Sequence, residues 1–204
     1  MQNTTLDCSL DYTLEDDYVL LRPLTTEDFS NLLHFSLNEP TIWKYSLQSP
    51  AGEEGLREYI ATALQARVKG IEYPFIVFDK RTNEYAGCTR FYDILPAFKT
   101  LQLGYTWYGT KFQRTGLNKH CKYLLLSFAF ETLGQERVEF RADNNNERSI
   151  AAMKAIGCKV DGVLRSNMPN RDGGRRDSIV LSILRNEWFE SVKEGLKRQL
   201  IGGT

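Results

Sequence analysis

Residues 111–133, KFQRTGLNKHCKYLLLSFAFETL, place the strongest local constraint on how this chain folds. From Leu117 onward, Leu117, Cys121, Leu124, Leu125, Phe128, Ala129 and Thr132 recur at helical spacing, which draws one stripe along a helix and predicts its burial against a core. The loop before that helix is basic. Lys111 and Arg114 stand in it, Lys119 and Lys122 follow in the first turns, and no acidic residue intervenes. The free N–H groups and positive dipole end of a helix already favour an anion, so four added cations raise the electrostatic cost of having none. Gly116 permits dihedrals closed to other residues and a close approach of main chain to ligand, as phosphate-cradling turns require. A solvated basic surface fits the same pattern, and this segment alone does not choose between the two.

The 204 residues, 42% hydrophobic and 25% charged, suffice for one good core and predict one domain. Lys plus Arg and Asp plus Glu stand at 26 each, so net charge gives no case for a nucleic-acid or polybasic membrane partner. Cys8, Cys88, Cys121 and Cys158 are scattered without a CxxC pair; they read as reduced, mostly buried small hydrophobes rather than a disulfide framework or metal site. The opening segment lacks a basic n-region and an apolar h-region, and no run approaches the roughly 18 apolar residues of a membrane span. A soluble, cytoplasmic protein is expected.

Residues 1–17 read as a polar, acidic, loosely held leader, and 18–200 as the folded domain. A strand at 18–24 stops at Pro23, and Thr25 or Thr26 caps a helix that carries Asp28 in its first turn and Phe29, Leu32, Leu33 and Phe35 on its apolar face. A second helix spans 53–69. Strands at 73–78 and 85–92 form a hairpin, and a third at 100–107 leads into the basic loop and long helix. A strand at 137–142, a helix at 147–156, strands at 159–165 and 178–184 and a closing helix around Trp188, Val192 and Leu196 complete the order, with a frayed Gly-Gly-Thr end. Hairpins combined with a βαβ crossover predict a mixed α/β (α+β) sheet covered by helices.

This order, with QRTGLN at 113–118 between a central strand and a long helix, resembles the GNAT acetyltransferases, and among them the branch similar to RimJ and RimL. LLRPL, GCTRFYDI, LGYTWY, NKHCKYLLL, DNNNERS, GVLR and RRDSIVLSIL followed by EW extend the resemblance over nearly all of 18–200. It implies a mostly antiparallel sheet of about seven strands, splayed at the central pair, and transfer of an acetyl group from acetyl-CoA to an amine. The family loop Gln/Arg-x-x-Gly-x-Gly/Ala is met at Gln113 and Gly116, whereas Asn118 replaces the final small residue.

The resemblance also implies roles. In the cofactor-binding motif that begins at Gln113, the main chain of Arg114, Thr115, Gly116, Leu117, Asn118 and Lys119 would hold the CoA pyrophosphate, with Arg114 and Lys119 adding charge and Lys111 or Lys122 near the ribose phosphate. The pantetheine arm would lie along 104–108 where that strand splays from 137–142, with Trp107 and Tyr108 at the split, although both also read as core aromatics. Asn146 would bond the cofactor and Ser149 would protonate the departing thiolate; helix capping by Asn144 and Glu147 explains much of DNNNERS equally well. Arg90, Tyr92 and Asp93 end a strand where the acceptor cleft would open, with Tyr92 and Asp93 as catalytic candidates beside Ser149, and Glu39 and Trp43 as the far wall. Homodimers are common in the branch.

Chemistry narrows the acceptor. An α-amine, with a pKa of about 7.7–8.0, is partly neutral near pH 7, whereas a lysine amine at ~10.4 is not. Neither His34, within a helix, nor His120, at a helix start, reads as a base. An α-amino acceptor deprotonated through water is therefore expected; acetylation of a small-molecule amine, or a non-catalytic acetyl-CoA-binding role, are the alternatives.

Overall fold

The computed structural model describes residues 5–170 and 173–202. Its centre is an eight-stranded sheet of β1 (Leu14–Glu15), β2 (Val19–Pro23), β3 (Glu72–Asp79), β4 (Glu84–Leu95), β5 (Thr100–Tyr108), β6 (Arg137–Asp143), β7 (Lys159–Pro169) and β8 (Arg175–Leu184), ordered β1-β2-β3-β4-β5-β6-β8-β7. Every neighbouring pair is antiparallel except β5 and β6. A parallel pair needs a long crossover, here supplied by α3 (Leu117–Ser127). The remaining helices are α1 (Phe29–Asn38), α2 (Gly52–Val68), α4 (Glu147–Ala155), α5 (Arg185–Glu187) and α6 (Lys193–Ile201). None of the described helices is long and apolar enough to cross a membrane.

The sheet parts at the parallel pair. β5 and β6 are in register only at Thr100↔Arg137, Leu101↔Val138 and Gln102↔Glu139, while β5 stays with β4 as far as Gly87↔Tyr108 and β6 stays with β8 as far as Asp143↔Ser178. The cause is local: between the Arg90↔Gly104 and Cys88↔Trp107 pairs, Tyr105 and Thr106 face the single residue Thr89. Such a bulge bends and over-twists its strand, turning β5 away from β6. It places Tyr105 at φ 49°, a left-handed conformation that an aromatic residue adopts at a cost of about 1–3 kcal/mol.

Core packing explains the flanking helices. Trp107 of β5 meets Phe35 of α1, Tyr59 of α2 and Trp43 at ring separations of 5.8, 6.4 and 5.2 Å, whereas Phe91 of β4 stacks on Phe128 just beyond α3 at 6.4 Å. The expected stripe of α3 is buried at Leu117, Cys121, Leu125, Phe128 and Ala129. Thr132 is not part of the buried core. From Phe128 to Thr132 the helix widens into a π turn, which shifts the stripe so that Phe130 and Leu133 point inward instead. Thr25 caps the first helical turn as expected: its N–H donates to Asp28 over 2.9 Å, and the buried Asp28 carboxylate also takes a bidentate pair from Arg22 at 2.6 and 2.8 Å. All four cysteines are buried and unpaired.

The leader differs from expectation. Leu6 and Cys8 are buried, and β1 adds an eighth strand against β2. Arg67 of α2 donates to the carbonyls of Cys8 and Leu10 and pairs with Asp11, while the Tyr73 hydroxyl donates to the Leu10 carbonyl and accepts from the Tyr12 N–H. The side chains are polar, yet the backbone is tied down by donors some sixty positions away. Residues 1–4 of that leader, and 203–204 of the expected frayed end, lie outside the described residues.

Candidate active site at the parting of two parallel strands

Gly116, at φ 86°, is the N-cap of α3, and Arg114 is also left-handed at φ 66°. The Gln113 N–H is spent on the Thr110 carbonyl, and those of Lys119 and His120 on the Gly116 carbonyl. The N–H groups of Arg114, Thr115, Gly116 and Asn118 make no hydrogen bond among the described residues, and a Cβ on Gly116 would meet nothing within 4 Å. The result is an open nest of amides. Side chains fix its shape: Gln113 donates to the Tyr108 carbonyl over 2.9 Å and accepts from Arg148 of α4 over 2.6 Å, and Arg81 donates to the Thr115 carbonyl over 3.0 Å. The bond from Arg148 to Gln113 joins the two conspicuous motifs, QRTGLN and DNNNERS, across the mouth of the split.

The four cations do not act together. Lys111 closes on Glu84 at 2.5 Å, a partner contributed by the neighbouring hairpin, and Lys122 is 5% exposed and lies beneath the loop rather than at its surface. The resemblance puts one or the other, Lys111 or Lys122, near a ribose phosphate. Arg114 and Lys119 form no ion pair among the described residues, so they carry the local positive charge.

Below the nest, β5 past Gln102 has no partner on its β6 side among the described residues. Trp107 and Tyr108 border this gap through their main chain only: the Trp107 indole donates to the Tyr59 hydroxyl within the core over 3.3 Å, and both rings are buried. On the floor, the Lys122 ammonium donates to Thr106 Oγ1 over 2.9 Å, and Thr106 in turn bonds Thr89 over 2.7 Å. Burial pulls the Lys122 amine down to about 8.

At the end of β6, Asp143 Oδ1 accepts from the Asn145 N–H, and the Asn144 N–H is taken by the Asp177 carbonyl. The cap of α4 is Asn146 rather than Asn144; its Oδ1 accepts from the Ser149 N–H over 3.1 Å. The half-buried Ser149 hydroxyl makes no hydrogen bond among the described residues. Capping thus uses the Ser149 backbone and leaves its side chain to other work. Asn146→Ala is expected to cost about 1 kcal/mol, read as a lower urea midpoint at unchanged m, while Asn146→Asp keeps most of that stability.

On the α2 side, Arg90, Tyr92 and Asp93 gather around Gly104 and Tyr105. Arg90, only 1% exposed, is sandwiched between the Tyr59 and Tyr105 rings at 4.7 and 4.2 Å and bonds Glu72 at 2.6 Å. It underlies the cleft instead of facing an acceptor. The Tyr92 ring lies flat against Gly104, where any Cβ would come within 2.8 Å of it, and stands edge-on to Tyr105 at 5.0 Å. Burial pushes the Tyr92 phenol well up, so near neutrality it is a proton donor and not a base. Asp93 is exposed and accepts from Gln102 over 2.8 Å. The other two expected wall residues lie elsewhere: Glu39 accepts from the Thr110 N–H and hydroxyl at 2.6 Å each, bolting the end of α1 to the turn before the nest, and Trp43 is buried against Trp107 because that indole needs an apolar cover.

Tyr105, inside the 104–108 stretch but not singled out by the sequence, joins this cluster; the preceding Gly104, within an otherwise regular strand pattern, is its one local signal. Neither histidine joins the cluster. His34 sits on α1 at 3.9 Å from Glu39, and His120 bonds Asp16 at 2.6 Å and stacks on Tyr18.

Comparison with known proteins gives this geometry a family. The chain is 25% identical over 172 residues to the Bacillus subtilis (strain 168) protein named "Putative ribosomal N-acetyltransferase YdaF", covering 83% of this chain and 91% of that one. A solved acetyltransferase-type structure from T. thermophilus superposes with a TM-score of 0.83 at 33% identity, over 94% of this chain and 98% of that one. A GCN5-related N-acetyltransferase from Brucella melitensis, at 24% identity, shares the fold with a TM-score of 0.85 over 93% and 85% of the two chains. The family model described as "Acetyltransferase (GNAT) domain" matches residues 19–159, and this chain, with its parted parallel strands and amide nest, belongs to the GNAT acetyltransferases.

Proposed function

We propose that this acetyltransferase moves the acetyl group of acetyl-CoA to an α-amino group, free or at the N-terminus of a peptide or protein. The observation that carries the donor half is the nest of free amides at Arg114, Thr115, Gly116 and Asn118, set above an unpaired strand edge. A pyrophosphate supplies the acceptor oxygens and negative charge that the nest and the unpaired Arg114 and Lys119 call for, and an amide-bearing arm suits a strand edge. In the reaction, a neutral amine attacks the thioester carbonyl, and the tetrahedral intermediate expels a thiolate. Its conjugate thiol has a pKa near ~8.5, and the Ser149 hydroxyl is the group we assign to hand it a proton, which the newly acylated nitrogen, still one proton in excess, returns to Ser149 through water.

The acceptor half rests on what surrounds Tyr105. Burial raises both the Tyr92 and Tyr105 phenols, Glu72 is committed to Arg90, and neither histidine is near, so an amine that loses its own proton near neutrality is favoured. The name of the relative YdaF, "Putative ribosomal N-acetyltransferase", agrees with a protein amine as the acceptor. In competition at about pH 7 between a short peptide with a free N-terminus and the same peptide N-blocked with one lysine, the free N-terminus is expected to be acetylated faster, by up to a few hundredfold (roughly 200 to 400) from the gap in neutral fraction. Mass spectrometry of the products reads the outcome directly. Faster acetylation of the blocked peptide or of a polyamine would overturn the acceptor assignment.

A further inference from the structure

Lys122 is the buried group that this reaction leaves unused. Its Nζ lies between Thr106 of β5, at 2.9 Å, and the Phe140 ring of β6, at 5.7 Å, so it spans the two strands in the stretch where they no longer pair. The groups facing it among the described residues are Cys121 from α3, Cys158 from the turn after α4, Thr106 from β5 and Phe140 from β6, with Thr89 of β4 bonded to Thr106 and Tyr108 of β5 beside Cys121. None is a carboxylate. Both thiols are pushed up to about 12 by burial and stay neutral, so they offer no counter-charge. An ammonium has three protons to donate, and the single oxygen of Thr106 accepts one. A buried cation without a counter-ion destabilises a fold, and an apolar side chain of similar volume would be the stable choice here.

We propose that Lys122 is a binding residue for the acyl donor: its ammonium, held by Thr106, gives the remaining hydrogen bonds to an amide carbonyl of the pantetheine arm on the floor of the split. The inference rests on the donor reading above. Because the free amine titrates at about 8, bound donor and bound proton favour each other. The sign follows: binding raises the proton affinity of Lys122, so donor affinity is greatest below about pH 8 and declines above it.

The test compares acetyl-CoA with adenosine 3′,5′-bisphosphate, the nucleotide half lacking the arm, by calorimetric titration at about pH 7 and about pH 9. The 3′-phosphate is common to both ligands, and the 5′-phosphate of the bisphosphate, with a second pKa of about 6, is already largely ionised at the lower pH, so the ratio of their affinities chiefly reports the arm. For the wild-type chain that ratio should fall several-fold, and no more than about tenfold, because the protonated fraction of a group titrating at about 8 falls about tenfold between those two pH values. Lys122→Met should lower the ratio about tenfold near pH 7, abolish its pH dependence and raise the melting temperature of the free protein. Lys122→Arg, which keeps its charge, should also flatten the pH dependence. A role confined to packing predicts a pH-independent ratio and a destabilised Met variant, and either result overturns the inference. The wild-type titrations decide the matter even if a variant fails to fold. No binding of acetyl-CoA to the wild-type chain at either pH would overturn the donor reading itself, whereas binding with a flat ratio overturns only the role of Lys122.

Discussion

Gly116→Glu is expected to abolish the stabilisation that acetyl-CoA gives the wild-type chain. At a hundred times its dissociation constant the donor should add about 2.7 kcal/mol, a shift easily read in thermal or urea unfolding. The substitution acts in two separable ways. At φ 86° any side chain strains the backbone by about 1–2 kcal/mol, but a Cβ there meets no atom within 4 Å, so the free protein should still fold. The carboxylate then projects from the N-cap beside the free amides of Arg114, Thr115 and Asn118 and competes for them with any bound anion. Gly116→Ala is the control, since it carries the same strain without the charge and should retain a clear part of the shift. A Glu variant that keeps the full acetyl-CoA shift would mean that the nest is not where the donor binds. ATP with magnesium should stabilise the wild-type chain far less, because the loop lacks the Gly-Lys-Ser/Thr ending that positions a terminal phosphate and metal.

Ser149→Ala should lower kcat by roughly a hundredfold while changing the affinity for acetyl-CoA little, since a general acid matters chiefly as the thiolate departs. The local geometry makes this a clean experiment. The cap of α4 is built from the Asn146 side chain and the Ser149 backbone N–H, which alanine retains, and the Ser149 hydroxyl has no hydrogen bond to lose among the described residues. Unfolding free energy should therefore stay within about 0.5 kcal/mol of wild type. Melting temperature and steady-state rates measured on one preparation separate the two roles. Lost stability with an intact kcat would return Ser149 to the helix and leave the proton donor unassigned, with Tyr92 and Tyr105, both protonated phenols at the same split, the next to substitute.

What is legible in the sequence is what neighbouring residues decide among themselves. The stripe from Leu117 to Ala129 announces its helix because the period repeats, and Gly116 announces the left-handed turn because few other residues tolerate it. The π turn at Phe128–Thr132 leaves no comparable trace, so the helical period puts Thr132 on the wrong face. Charge misleads for a different reason. Lys111 looks free until β4 brings Glu84 beside it, and Lys122 looks like a surface cation until the sheet closes beneath α3. Arg90 and Trp43 likewise look accessible because burial belongs to the assembled layers and not to the local pattern. The leader is the least legible segment: its anchors, Arg67 and Tyr73, act on backbone carbonyls, and every residue supplies the same carbonyl.

An unpaired strand edge is ordinarily a hazard, because its free N–H and C=O groups recruit other chains and seed aggregation. Here the two bare edges, of β5 and of β6, face each other inside the sheet, with β4 and β8 guarding their outer sides and only three residue pairs separating the gap from a closed seam. A polypeptide strand would need neighbours for its own side chains, and Trp107 and Tyr108, whose rings turn into the core, offer it main chain alone. A thin linear molecule with amides and no side chains meets no such objection. The displacement of a single residue at Tyr105 thus moves an aggregation-prone edge from the rim of the sheet to its interior, where the strands on either side cover it.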